Sequence, residues 1–254
     1  MLVTRARILS SLTRNQLALL AGVSPSTVTR LESGQLDPTY GTLSKILRAC
    51  GFVPTPTLTS RTDLDSLRAA RILLDPAANI DWTDGAREWV RRWERIGLVR
   101  DGQPTSVDAL AFRAAMTSHI ADRPEAARFV IPDGGWEQIT RLFRESGVNW
   151  ALTGGYAAQR YTTVANATWP ILYVDDVEEA ATRAGLTTDG QNGPAVTLIP
   201  FDGVTRAGIN EYNGLCWAAP WQIVIDCYGG TGRMPDQAEK MIAGRAEDGS
   251  FIPA

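Results

Sequence analysis

Two groups of residues have the types and spacing to do chemistry. The first is the run Ser24-Pro25-Ser26-Thr27-Val28-Thr29-Arg30. On a helix that starts at Pro25, Ser26, Thr27 and Arg30 fall at i, i+1 and i+4, away from Val28 and Leu31. Hydroxyls and an arginine on one helical face suit hydrogen bonding to base edges in a DNA major groove. Arg14 and Gln16 lie at the start of the preceding helix, where side chains can reach phosphates. The second group is Gly154-Gly155, followed by Asp175-Asp176 and later by Asp226. A glycine turn and two carboxylates could hold Mg²⁺ and a triphosphate. Adjacent acids on a strand point to opposite faces, so at most one of Asp175 and Asp176 meets a metal from that strand. The competing reading makes Gly154-Gly155 a strand-to-helix turn and Asp175 or Asp176 the cap of the next helix. Asp226 falls in a helical pattern. The single histidine, His119, argues against a histidine triad or multi-histidine metal site, and Cys50, Cys216 and Cys227 show no CxxC spacing.

The first group needs two helices at a fixed angle. Thr13 is an N-cap, and "RNQLALLA" places Leu17, Leu20 and Ala21 at i, i+3 and i+4. Gly22 supplies a sharp turn with positive φ. Ser24 is a second N-cap with Pro25 at the first helical position, and Gly34 ends that helix. Ala18 is small because the two helices cross there, and Val23, Val28 and Leu31 hold the second helix in place. "VTRARILSSL" predicts a helix before the pair. "DPTYGTLSKILRACG" predicts one after it, with Leu43, Ile46 and Leu47 inward and Gly51 closing it.

These residues resemble the phage-repressor (Cro/cI-like, XRE) helix-turn-helix family. The matching positions are Leu12-Thr13, Leu17-Ala18, Gly22-Val23-Ser24, Val28-Thr29-Arg30, Glu32, Gly34, Pro38 and Thr42-Leu43, within residues 3–52. The resemblance implies an all-α DNA-binding domain over 1–53, with Gln16, Ser26, Thr27, Thr29 and Arg30 as DNA contacts. Arg14 and Ser24 complete the expected set. It also implies a double-stranded operator and a homodimer on paired half-sites, because one such module alone binds weakly.

"GFVPTPTLTSRTD" is rich in Pro and Thr and reads as a linker over 54–63. A helical segment is expected over 64–131. Its helices are "LDSLRAARILLD", "TDGAREWVRRWERIGLV" with Trp89, Val90, Trp93 and Ile96 on its core face, and "SVDALAFRAAMTSHIA". Arg87, Arg91, Arg92 and Arg95 alternate with Glu88 and Glu94 and read as a solvated face. From 132 to 254 helix and strand alternate. The fold class is therefore multidomain α plus α/β: a helix-turn-helix domain, a helical middle segment and a mixed C-terminal domain.

Nucleotidyltransferases use a Gly-Gly or Gly-Ser turn and alternating acids, a pattern that Asp175-Asp176 breaks. The C-terminal domain also resembles that of type IV (AbiEi-like) antitoxins. The positions are Leu152-Thr153-Gly154, Ala157-Ala158, Ile199-Pro200, Trp217, Pro220, Gln222, Asp226, Gly232-Arg233 and Ala238-Glu239. That family usually carries a winged helix at its N-terminus, so the repressor-type head is a departure. The resemblance implies an autorepressor whose partner is a nucleotidyltransferase-type toxin.

Charge agrees with a DNA-binding head. Residues 1–60 hold six cations and two anions, a balance of +4, while the remainder holds 19 cations and 26 anions, −7. No apolar run approaches the ~20 residues that cross a bilayer, and the N-terminal apolar patch is too short for a secretory signal. A cytoplasmic, non-enzymatic DNA-binding regulator that needs no metal or cofactor is the expected function. A Mg²⁺-dependent nucleotidyltransferase with a fused helix-turn-helix and a ligand-sensing repressor are the alternatives.

Overall fold

The computed structural model describes residues 2–55, 62–131, 135–165, 169–188 and 194–253. The chain divides into two compact units, Met1–Thr59 and Ser60–Ala254. Most of the expected linker, residues 56–61, lies outside the described residues.

The first unit has four helices: α1 (Leu2–Leu9), α2 (Arg14–Ala21), α3 (Pro25–Glu32) and α4 (Tyr40–Ala49). Thr13 caps α2 in a capping box with Gln16, Ser24 caps α3, and Thr39 caps α4. Gly22 takes the left-handed conformation at φ 63. The core is Val3, Ala6, Leu17, Ala18, Val28, Leu31, Ile46, Leu47 and Cys50. Leu20, expected inward, is 61% exposed. The buried stripe of α2 runs through Leu17, Ala18 and Ala21, and a residue at i+3 from Leu17 falls outside a stripe centred between 17 and 18.

The second unit begins with α5 (Leu64–Leu74), α6 (Asp84–Arg95), a hairpin of β1 (Val99–Arg100) and β2 (Gln103–Pro104), and α7 (Val107–Thr117). It continues with β3 (Ala127–Val130), α8 (Gly135–Ser146), β4 (Trp150–Thr153), α9 (Gly154–Ala158), β5 (Ile171–Val174), α10 (Val177–Arg183), β6 (Ala195–Pro200), β7 (Asn210–Tyr212), β8 (Leu215–Trp217), α11 (Pro220–Tyr228) and α12 (Met234–Ala243). Six strands form one mixed sheet in the order β3-β6-β5-β4-β8-β7. β5 runs parallel to β6 and antiparallel to β4, and β8 runs parallel to β4.

The boundary expected between 131 and 132 is not a boundary in the structure. Leu67, Ala70, Trp93, Leu110 and Ala114 from α5–α7 share one core with Phe143, Leu152, Leu172, Leu198 and Ile225. β3, inside the expected helical segment, is an edge strand paired with β6. Two further details differ. Helix α7 stops at Thr117, before His119, and the Ser118 hydroxyl donates back to the Ala114 carbonyl. Ile96, expected on the core face of α6, sits at the helix C-cap and is exposed. Trp93 is buried and Trp89 packs partly against the core. Arg91, Arg92 and Arg95 are solvated around Glu88, 3.4–3.5 Å away.

Candidate nucleic-acid interface

Helix α3 is held from its C-terminal end. The nearly covered carboxylate of Glu32 accepts from Arg7 Nε of α1 at 2.7 Å and from Arg14 Nε of α2 at 2.5 Å. Arg7 also donates to the Leu12 carbonyl at 2.9 Å. One carboxylate thus ties three helices together and fixes the tilt of α3. Burial works to raise the Glu32 pKa, but the hydrogen bonds and charges of Arg7 and Arg14 outweigh it and hold the group below its ordinary value of 4.5. A carboxyl whose folded pKa lies below its unfolded value adds stability above that unfolded value and loses it as pH falls through the folded one. The first unit is therefore expected to lose stability as pH drops below about 4.5. Glu32→Gln should flatten that acid limb in a series of thermal melts while lowering stability at neutral pH; an unchanged acid limb would contradict the clamp.

Ser26, Thr29, Arg30 and Ser33 are exposed together along the outer face of α3, opposite buried Val28 and Leu31. Most of the hydroxyls are already engaged. Ser24 Oγ is 2.8 Å from both Ser26 Oγ and Thr27 Oγ1, and it accepts from the Thr27 N–H at 3.1 Å. Thr29 Oγ1 donates to the Pro25 carbonyl at 3.1 Å. Thr27 is half-buried beside the cap instead of standing fully outward. Gln16 Oε1 accepts from the Thr13 N–H at 2.8 Å, so its amide –NH₂ keeps its donors for an outside acceptor. Arg14, expected on a phosphate, is half exposed and also serves the Glu32 clamp. The sequence signal for that clamp was Glu32 at the end of the recognition helix, but its two partners lie 18 and 25 residues away and no local pattern shows them.

The second group of candidate residues does not converge. Asp175 accepts from Asn149 Nδ2 at 2.6 Å and is ion-paired with Arg206. Asp176 is the N-cap of α10 and accepts from the Glu179 N–H at 2.7 Å. Asp226 is buried on α11 and accepts from Arg123 Nη2 at 3.1 Å, Thr153 Oγ1 at 2.6 Å, Tyr173 Oη at 2.7 Å and Gln222 Nε2 at 2.9 Å. Burial pushes the Tyr173 phenol well up, and the Asp226 charge adds to that, so Tyr173 remains a donor. Gln222 continues the network by accepting from Arg71 Nη1 at 2.9 Å. Among the described residues no group of three or more His, Cys, Asp or Glu is gathered to hold a metal.

Gly154 has φ 63, and a Cβ there would lie 3.0 Å from Ile171 Cδ1 and 3.1 Å from Met234 Cε. Gln237, on α12, donates to the Gly155 carbonyl at 3.1 Å. The glycine turn is thus packed beneath α12. Gly154→Ala combines a left-handed backbone with this crowding and is expected to cost about 1–3 kcal/mol, read as a lower midpoint in denaturant; no change would show that α12 yields freely.

A helix-turn-helix family model matches residues 3–58. No curated protein and no solved structure matches the chain. With its outward α3 face, the first unit is a helix-turn-helix DNA-binding domain of the XRE type. The protein that carries it is a DNA-binding transcription regulator. No helix among the described residues is long and apolar enough to cross a membrane.

Proposed function

We propose that this regulator is an autorepressor and the antitoxin of a type IV-like toxin–antitoxin operon, bound to its operator as a homodimer. The observation that carries the DNA-binding half is the exposed face Ser26-Thr29-Arg30 on a helix clamped through Glu32. The resemblance of residues 152–239 to AbiEi-like antitoxins supports the other half. In this reading the second unit is non-catalytic. Asp175, Asp176 and Asp226 are consistent with that, since each is spent on a fold contact: an ion pair, a helix cap and a buried network. Residues 60–254 would act by covering a nucleotidyltransferase-type toxin or by joining two copies of the chain, in cytoplasm and without a cofactor.

The test has two arms. In a gel shift at moderate salt, the full chain should retard its own upstream DNA, and Arg30→Ala should lower affinity about thirtyfold, the value of one lost bidentate base contact at the middle of its range of about 1–3 kcal/mol. Equal affinity would remove the recognition-helix assignment. In the second arm, growth arrest by a neighbouring nucleotidyltransferase gene should be relieved by co-expressing this chain, and lack of relief would remove the antitoxin role.

One observation favours the ligand-sensing alternative. A cavity of about 370 Å³ lies between Ile120, Trp169, Ile171, Thr231, Arg233 and Gln237, within the size range of small-molecule sites.

A further inference from the structure

Sequence-specific binding needs side-chain groups still free to bond when the helix enters the groove. On the outer face of α3 few remain. Ser26 Oγ is engaged with Ser24, Thr29 Oγ1 with the Pro25 carbonyl and Ser33 Oγ with the Arg30 carbonyl at 3.2 Å. Arg30 is exposed, and among the described residues its guanidinium is in no hydrogen bond or ion pair. Its five N–H donors are therefore uncommitted. Thr29 differs from the serines. With its oxygen turned to the helix backbone, its γ-methyl is the heavy atom left to meet a base, and methyl groups on protein make apolar contact with the thymine C5-methyl.

Resting on the DNA-binding reading, we infer that each recognition helix reads one guanine through Arg30, with a neighbouring thymine methyl against Thr29, and little else by direct contact. An uncommitted guanidinium pairs in two parallel hydrogen bonds with guanine O6 and N7, the one base edge with two acceptors side by side in the major groove. The serine hydroxyls add little discrimination: each has its single proton in play within the protein, and a hydroxyl, able to accept or donate, distinguishes base edges poorly. The half-site is thus low in information. The remaining affinity comes from phosphates, through such groups as the Gln16 amide, and is blind to sequence.

The test uses the full chain and selection from random duplexes, followed by binding to one selected site. The inference expects one invariant G·C pair per half-site. It expects a loss of about tenfold or more in wild-type affinity when that guanine is replaced by 7-deazaguanine, which lacks the N7 acceptor. Arg30→Ala should bind the two duplexes alike, circular dichroism showing it folded. Replacing the neighbouring thymine by deoxyuridine should weaken wild type severalfold but not Thr29→Ser. The 7-deazaguanine comparison is made with wild-type protein, so it does not depend on any variant folding. Selected sites with no invariant guanine, indifference of wild type to 7-deazaguanine, or guanine preference retained in Arg30→Ala would each overturn the base assignment and leave DNA binding intact. Failure to enrich any sequence would overturn sequence-specific binding itself.

Discussion

Asp226→Asn is expected to destabilise the second unit by about 3–5 kcal/mol, the cost of removing one partner from a buried ion pair. The side chains of Arg123 and Asp226 are almost wholly covered, at 3% and 0% exposure. The substitution keeps the shape but leaves the Arg123 guanidinium without a counter-charge. It also turns an amide –NH₂ either toward the Thr153 and Tyr173 hydroxyls or toward Arg123 and Gln222, donors that now face a carboxylate oxygen. A domain's whole stability is usually 5–15 kcal/mol, so the variant should sit near the edge of unfolding at 37 °C. Denaturant unfolding followed by tryptophan fluorescence is informative, because all eight tryptophans, Trp82, Trp89, Trp93, Trp136, Trp150, Trp169, Trp217 and Trp221, lie in the second unit and among the described residues. A midpoint that hardly moves would mean that the network is hydrated and cheap to break. Pairing Asp226→Leu with Arg123→Met should recover part of the loss, because an apolar pair of similar volume carries no stranded charge.

Leu17→Ala is expected to cost about 2–5 kcal/mol and to abolish specific DNA binding. Leu17 is fully buried, and among the described residues nine make up the buried core of the first unit. So small a core leaves little surplus. The cavity would open beneath α3, between Val28 and Leu31, and release the helix from its set angle even in molecules that stay folded. Affinity for operator DNA should therefore fall at temperatures where circular dichroism still reports helix. Retained affinity with a lowered melting point would mean that the Glu32 clamp alone holds the reading head.

The first unit was legible in the sequence because its signals are local. Thr13, Gly22, Ser24, Pro25 and Gly34 mark the ends of α2 and α3, and each lies within a few residues of what it caps or closes. The error at Leu20 came from choosing between two stripes one residue apart on a short helix. In the second unit the helices and the longer strands were legible. The strands β3 and β7 were not: β3 has four residues and pairs with β6 far along the chain, and β7 has only three residues before the turn to β8. Nor was the merging of 64–131 with 132–254. Ala69, Ala70, Ala114 and Ala115 are all fully buried, and alanines carry no pattern that distinguishes a helix packed on a sheet from one on its own bundle. For the site, the face of α3 was readable from spacing. Which of its groups are already spent, and the tie from Glu32 to Arg7 and Arg14, required coordinates.

The common interior of residues 60–254 bears on how such a protein can be shortened, in the laboratory or in a lineage. A chain starting near 132 would lose the edge strand that covers β6 and the helices whose alanines seat against α11, baring a greasy face and an open row of amides. It would clump before it could act. The head can be traded for another at the seam near residue 59, but everything beyond that seam is inherited whole.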